Sequence, residues 1–413
     1  MKLTFYGAAK EVGRSCIVLD DRYMLDAGID LDHEIRYPTI TDLSQIKAIF
    51  VCHAHLDHSG ALPLFNHQGL NVPIFCTSMT KKLAYILLKD EFKIQKLQRE
   101  HPAYNKSNIT NVMASVKYVS PRIARQFDDI DFTYYLAGHI PGSCCIMIET
   151  EGRSLLYTSD IGFMDTLLMN KCDELPHADV MITESTYGQR EHPDRKETEK
   201  IFLEKVRETL ERGGSVLIPV FAVGRAQEII LLLDRLETNA PIYLDGMAED
   251  VTRIILEEPA WIRNGAALRK AFQRVRLVKH EQRSDIARSQ SVIVTTSGMM
   301  EGGPVISYMR YMHDNPKNSV LLTGFQGINT NGRRLMEQGI VDLEGEIVSV
   351  KCEKMQFDFS AHSGRKELIE LIRKVDPEVL IVQHGDPPAV ESLASEFPDK
   401  KVYIPELGDT IQV

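Results

Sequence analysis

The run His53-Ala54-His55-Leu56-Asp57-His58 places three imidazoles and a carboxylate within six consecutive positions. The chain has 13 histidines in 413 residues. At that density three histidines so close together arise by chance in roughly one such chain in a hundred. Imidazole nitrogen and carboxylate oxygen are the ligands zinc takes. Residues i and i+2 of an extended chain project to the same side, so His53 and His55 are placed to hold one ion together. Asp57 and His58, at the turn into a following helix, then face a second ion, because four ligands from one short loop cannot all serve one open tetrahedral centre. The plain alternative is a polar helix cap.

Two later segments repeat the pattern of an apolar strand followed by a polar group. YYLAGHIPGS brings His139 and SLLYTSD brings Asp160. Taken singly, His139 reads as a satisfied, partly buried histidine and Asp160 as a cap or turn residue. Their weight comes from the series.

The elements that must position these groups follow from the hydrophobic pattern. Between Lys2 and Cys52 the segments KLTFYG, SCIVLD, YMLDAG and KAIFVC read as short strands separated by turns, and His53 and His55 follow the last of them. Next comes a helical stretch, TKKLAYILLKDEFKIQKLQRE, whose Leu83, Ile86, Leu87, Ile94 and Leu97 recur at three- and four-residue steps. Strands resume at ASVKYVS, DFTYYLAG, CCIMIET, RSLLYTSD and DVMITES.

After Glu184 the order becomes strand, helix, strand: SVLIPVF, RAQEIILLLDRLE, PIYLDG, then SVIVTTSG and SVLLTGF. That alternation predicts a parallel sheet and a second kind of unit. From about Met355 the segments FDFSAHSG and EVLIVQHGD again put polar clusters at strand ends, followed by Val402 to Val413. No repeat or low-complexity segment is visible.

With 43% hydrophobic residues, the chain can build the cores of two or three domains. The opening MKLTFYGAAKEVG has neither the basic start nor the apolar core of a signal peptide, and no run of 18 apolar residues occurs, so the expectation is a cytoplasmic chain without a membrane segment. Seven cysteines with no CxxC pair suggest neither a disulfide framework nor a cysteine zinc site, and fit a reducing compartment. A formal net charge of −10 argues against a polyanionic substrate. Two divalent cations bound in a carboxylate-rich site would add about four positive charges there, so the charge weakens a nucleic-acid reading without removing it.

In order along the chain, YMLDAG with Asp26, HAHLDH, GHIPGS and YTSD resemble the first four motifs of metallo-β-lactamase-fold hydrolases. TESTYG with Glu184, DFSAHSG with His362 and VQHGD with His384 resemble the three motifs specific to the β-CASP nucleases. GAAKEVGRSC, GGSVLIPVFAVGRAQEI, PIYLDGMA, VTTSGMMEGGP, and TGF followed by GRRL are similar to the cleavage-and-polyadenylation nucleases and their prokaryotic, archaeal relatives. The resemblance spans essentially the whole chain. It implies an α/β fold, a metallo-β-lactamase αββα sandwich with an inserted β-CASP domain whose parallel sheet is flanked by helices. The expected division is a first part of the sandwich over 1–188, the β-CASP domain over 189–354 and a return to the sandwich over 355–413.

The same resemblance implies two Zn2+ per chain, with Mn2+ as the alternative ion. His53, His55 and His139 would hold one, Asp57, His58 and His384 the other, and Asp160 would bridge them. Asp26 would sit behind the ligands and accept a hydrogen bond from an imidazole, fixing its tautomer. The implied reaction is hydrolysis of RNA phosphodiester bonds by a two-metal hydroxide mechanism, with Asp57 and Asp160 among the catalytic residues. His362 would act near the scissile phosphate as the acid, oriented by Glu184. Arg225, the loop from Ser297 and Gly298 to Gly303, Arg333 and Ser363 would meet substrate phosphates. Each has an equally plain structural reading, the glycines as turn formers and Arg225 as partner of a carboxylate such as Glu228.

The expected partner is RNA, single-stranded, with a homodimer or an RNA-processing complex as further associations and no membrane. Internal cleavage is expected, because neither the extra C-terminal domain of a typical ribonuclease J nor an N-terminal KH region is seen; the alternative is a 5′-to-3′ exoribonuclease of ribonuclease J type. DNA is a further candidate substrate, since no motif reports on the 2′-hydroxyl. A small-ester or thioester hydrolase of glyoxalase II type would share the first four motifs. It would not need the roughly 200 residues between Asp160 and His362, which suit a long substrate. A non-catalytic processing-complex subunit is the remaining class, opposed by the filling of every expected ligand position.

Overall fold

The computed structural model describes residues 1–31, 36–98 and 102–413. They form two compact units, one of Met1–Asp165, Asn170–Glu191 and Ala361–Val413, the other of Thr166–Met169 and His192–Ser360.

The first unit is built on two seven-stranded sheets. One runs Thr410–Gln412, Lys2–Phe5, Ile17–Leu19, Tyr23–Leu25, Ala48–Phe50, Ile74–Cys76, Val116–Tyr118. The other runs Lys401–Tyr403, Val379–Gln383, Val180–Glu184, Arg153–Tyr157, Cys144–Thr150, Ile130–Leu136, Arg125–Phe127. Phe5, Phe50, Phe75, Phe132, Tyr134, Ile146 and Ile182 meet between the sheets, where the Phe50 ring stacks on Phe75 at 5.2 Å and meets Phe132 edge-on at 5.0 Å. Because side chains alternate across a strand, the neighbours of these residues point the other way. Leu156, Met181, Leu380 and Val382 bury against Leu368, Leu371 and Ile372 of the helix Arg365–Val375 and Leu393 of Pro387–Ala394. Val18, Met24 and Ile49 do the same against Phe65 of Leu62–His67 and Val112 of Lys106–Ser115. Helix, sheet, sheet, helix is the expected αββα sandwich. Burial on both faces explains why its central strands read as nearly unbroken apolar runs.

The second unit carries a six-stranded sheet ordered Arg276–Leu277, Ile242–Asp245, Val292–Thr295, Val216–Pro219, Ser319–Leu322, Glu353–Gln356, parallel throughout. Leu217, Ile293, Val320 and Leu322 pack with Val305 and Met309 of the helix Pro304–Met312. Met355, where the chain was expected to return to the sandwich, lies inside this sheet and pairs with Leu321. The ladder holds the chain in the second unit as far as Ser360.

The helical stretch after the histidine run is the helix Ser78–Gln98; Arg99 and Glu100, which close the expected stretch, lie outside the described residues. Leu83, Ala84 and Leu88 are buried, but Ile94 and Leu97 are exposed, so the expected apolar stripe stops near Leu88. Beyond it the inward positions are Glu91 and Gln95. Glu91 pairs with Arg36 at 2.7 Å, and Gln95 donates to Glu91 at 3.0 Å and to the Tyr37 hydroxyl at 3.1 Å. A buried polar network thus replaces apolar packing on that side. Among the described residues no helix is long and apolar enough to cross a membrane. All seven cysteines are free and buried.

Candidate metal centre

The site residues sit just beyond, or at the end of, strands of the first unit. Asp26 follows Tyr23–Leu25, His53 and His55 follow Ala48–Phe50, His139 follows Ile130–Leu136, Asp160 follows Arg153–Tyr157, Glu184 ends Val180–Glu184 and His384 follows Val379–Gln383. Asp57 and His58 lie on the short helix Leu56–Ser59, and His362 precedes the helix Arg365–Val375. Three of the turns hold side chains at positive φ, Asp26 at 57°, Ser159 at 50° and His384 at 49°. Few non-glycine residues adopt this region, and it swings the chain out of the strand direction.

Three groups of potential ligands result: His53, His55, His139 with Asp160; Asp57, His58, His384 with the same Asp160; and Glu184 and His362, again with Asp160. Asp160 Oδ2 lies 3.5 Å from His53 Nε2 and 3.7 Å from His139 Nε2, and His139 Nε2 lies 3.2 Å from His55 Nδ1. Asp160 Oδ1 lies 3.3 Å from His58 Nε2 and 3.4 Å from His384 Nδ1, while Asp57 Oδ2 is 3.6 Å from His384 Nε2. A tetrahedron with bonds of about 2.0–2.1 Å has edges of roughly 3.3 Å, so these spacings suit donors converging on cations. Among the described residues, His53 Nε2, His139 Nδ1 and Asp160 Oδ1 are buried without a hydrogen-bond partner. Such groups cost free energy unless something charged or polar meets them. The residues present therefore fit divalent metal.

For the His53, His55 and His139 group the electrostatics agree. Burial, and for His53 and His139 the neighbouring imidazoles, push His53, His55 and His139 towards the neutral form a ligand needs. Burial opposes the charge on Asp160 and Asp57, yet His58 and the other histidines keep both ionised. His58 is driven the opposite way, burial being outweighed by Asp160, Asp57 and Asp26.

Asp26 is fully buried, and its Oδ2 accepts from His58 Nδ1 at 2.7 Å, Tyr157 at 2.8 Å and Ser159 Oγ at 3.0 Å, while Oδ1 accepts from Cys52 N at 2.8 Å. This leaves His58 Nε2 turned to the ligand group. Glu184 is likewise buried. It takes the Ile161 N–H at 2.7 Å and His362 Nδ1 at 2.8 Å, and His362 Nε2 points to Asp160 Oδ2 at 3.9 Å. Burial disfavours the His362 cation, but Glu184 and Asp160 lift the group to about 9.

The reading from sequence missed Tyr157, Ser159 and Thr186, whose hydroxyls reach Asp26 and, at 3.3 Å, His384 Nδ1. Tyr157 and Ser159 precede Asp160 in YTSD and Thr186 lies in TESTYG, so the signal was present inside motifs valued for their acids.

The expected substrate contacts are not brought into the ligand groups. Ser363 is 1% exposed and its Oγ donates to Ile161 O at 2.9 Å, which braces the loop that follows Asp160. In the second unit Ser297 Oγ donates to Gly302 O at 3.2 Å and accepts from Glu301 N at 3.1 Å. A Cβ on Gly298 would lie 2.9 Å from Phe221 N, so close packing requires glycine there. Arg225 donates to Thr323 O. Glu228, weighed as its partner, binds Arg195 at 2.5 Å and the N–H groups of Leu167 and Leu168. Arg333 pairs with Glu337 along its own helix.

Comparison with known proteins agrees with this architecture. Residues 18–184 match the metallo-beta-lactamase superfamily domain, 226–335 the Beta-Casp domain and 347–405 the Zn-dependent metallo-hydrolase RNA specificity domain. The chain is 40% identical to "Probable RNase MJ4" of Methanocaldococcus jannaschii over 94% of this chain and 93% of that one. It is 34% identical to "RNase aCSPSF2" of Saccharolobus solfataricus over 100% of this chain and 85% of that one, and 31% identical to "Integrator complex subunit 11" of Gallus gallus over 100% and 74%. A crystal structure of a protein of unknown function from Enterococcus faecalis aligns over 99% of both chains with a TM-score of 0.64 and 14% identity, a likeness of fold. The chain belongs to the β-CASP nucleases of the metallo-β-lactamase superfamily. Within that family it is a metal-dependent RNA hydrolase.

Proposed function

We propose that the chain is a zinc-dependent ribonuclease that cuts single-stranded RNA internally, in RNA processing or decay. The observation that carries this is the sharing of buried Asp160 by two His/carboxylate groups, with the His362–Glu184 pair beside them. His53, His55 and His139 would hold one Zn2+ and Asp57, His58 and His384 the other, with Asp160 within reach of both groups; Mn2+ would suit the same donors less well, because imidazole favours zinc. When bound, two such cations supply charge against the phosphodiester and lower the pKa of water beside it.

The chain's own residues do the rest. Glu184 fixes the His362 ring through Nδ1 and leaves Nε2 to hold a proton for the departing sugar oxygen. Asp26 holds His58 in the tautomer whose Nε2 faces the centre.

Internal cleavage is favoured over capture of a terminal phosphate because the Ser297, Arg333 and Ser363 side chains are each engaged by another part of the protein, Ser297 by Gly302, Arg333 by Glu337 and Ser363 by Ile161. Relatives named as RNases, and one named as a subunit of the Integrator complex, support an RNA substrate and a place in an RNA-processing assembly. The experiment is digestion of a circular, unstructured RNA beside its linear 5′-monophosphate and 5′-triphosphate forms. Cutting of the circle at a rate near that of the linear forms is expected. An untouched circle with release of mononucleotides from the 5′-monophosphate form would establish the exonuclease instead.

A further inference from the structure

The first unit of this acidic chain contains a basic stretch. Residues 77–127 carry ten Lys and Arg against three Asp and Glu, a net +7 within a chain of net −10. Much of it lies along the helix Ser78–Gln98, where Lys81, Tyr85, Lys89 and Lys93 follow one another at four-residue steps, on a different face from the buried Leu83 and Leu88. A solvated helix face commonly interleaves acids with its lysines at that spacing. This ridge interleaves an aromatic ring instead. Of the helix's two acids, Glu91 is turned inward to Arg36 and Asp90, half-buried, faces Lys93, which leaves Lys81, Lys82, Lys89, Lys93 and Lys96 in excess along the helix.

The aromatic rings are open. Tyr85 is 42% exposed and Tyr118, on the edge strand Val116–Tyr118, is 53% exposed. Lys89 Nζ lies 5.0 Å from the Tyr85 ring centre and Lys81 Nζ 5.1 Å from that of Tyr118, so the helix ridge and the sheet edge form one cationic and aromatic surface, with exposed Lys117 beside it. The surface also starts at the metal centre. Thr77 and Thr80, at the head of the helix, both donate their hydroxyls to Gly142 O at 2.9 Å, and Gly142 belongs to the loop that carries His139. From there the helix runs 21 residues, about 30 Å at 1.5 Å per residue.

We propose that this surface is a docking track for the single-stranded RNA substrate outside the catalytic centre, with phosphates on Lys81, Lys89 and Lys93 and bases stacked on Tyr85 and Tyr118. The proposal rests on the RNA reading above. Lysines neutralise backbone phosphates with release of counterions, and an exposed phenol ring accepts any base, which gives a sequence-tolerant grip. A local positive ridge also explains how a chain of net negative charge gathers a polyanion, since the local field and not the total charge steers the encounter.

The test uses the full metal-loaded chain carrying Lys81→Glu, Lys89→Glu and Lys93→Glu together, and separately Tyr85→Ala with Tyr118→Ala. Affinity for polyuridylic acid is measured against salt, and cleavage is measured on an oligonucleotide too short to extend beyond the centre. The lysine set should weaken polyuridylate binding at least tenfold and reduce the salt slope by about 2, at roughly 0.7 per phosphate contact on a single strand. The tyrosine pair should weaken binding about tenfold with the salt slope unchanged. Short-oligonucleotide turnover, metal content and thermal unfolding should stay at wild-type values, and the milder Lys→Gln set should shift binding in the same direction. Unchanged polyuridylate affinity and slope in the lysine set overturn the track, and would assign the ridge to a protein partner or to solvent. Failure of the wild type to cut any RNA overturns the nuclease reading instead, and the binding series still decides the track.

Discussion

In the proposed function, Asp160, His362 and Glu184 divide the work of the site in a way that single substitutions can separate. Asp160 Oδ2 approaches one set of imidazoles and Oδ1 the other, so changing it affects metal. His362 is not among the donors of either paired group and is held by Glu184, so changing it affects proton delivery. His362→Ala is expected to keep its metal and lose about 10²–10⁴-fold in kcat with little change in KM, the usual reach of a positioned acid. Loss of metal from that variant in elemental analysis would instead make His362 a ligand. The same residue sets a pH signature in the metal-free protein. Its folded pKa, about 9, lies above the ordinary 6.5. The stability it contributes is therefore full below pH 6.5 and is lost as pH rises through about 9. Denaturant melts of metal-free wild type should show that decline between the two values, and His362→Ala should flatten it.

At the scale of elements, what positions the site is a set of strand ends and tight turns. Gly28 follows the Asp26 turn, and a Cβ there would fall 1.6 Å from the carbonyl oxygen of Asp57. Gly28→Ala must push the Asp57–His58 segment outward, and it is expected to cost about 3 kcal/mol, the upper part of the overpacking range, together with metal affinity. A variant with wild-type melting and metal content would show that the segment is not held by this contact.

The strands themselves were legible in the sequence because two-sided burial leaves long apolar runs, as at CCIMIET and DVMITES. The proposed ligands were legible because each lies within a few residues of the end of such a run. Less legible was the helix after the histidine run, where Ile94 and Leu97 continued the apolar spacing although Glu91 and Gln95 face inward. Period alone cannot tell an apolar stripe from a buried network whose partners, Arg36 and Tyr37, come from distant sequence. For the same reason Ser363 read as a substrate contact. Nothing local reveals that its hydroxyl is taken by Ile161 O, which is 202 positions away.

For the whole molecule, the sequence pattern separated a sandwich from a parallel-sheet unit, and the structure adds that Glu353–Gln356 still belongs to the latter. The exchange falls a few residues after the polar pattern resumes, because the strand pairing with Ser319–Leu322 outlasts the change in motif. All nine residues assigned to metal or proton transfer lie in the first unit, although their numbers run from 53 to 384. Closing that span around one buried cluster of carboxylates and imidazoles, three of whose polar atoms have no hydrogen-bond partner, is costly unless cations offset it, so metal occupancy is the central property to measure. Elemental analysis of the purified chain, wild type against Asp160→Asn, tests it most directly. The wild type should carry about two zinc ions per chain and lose RNA cleavage with a chelator, and Asp160→Asn should lose metal and activity together. A metal-free wild type that still cuts RNA, or an Asp160→Asn variant with full metal content, would contradict the shared-carboxylate centre.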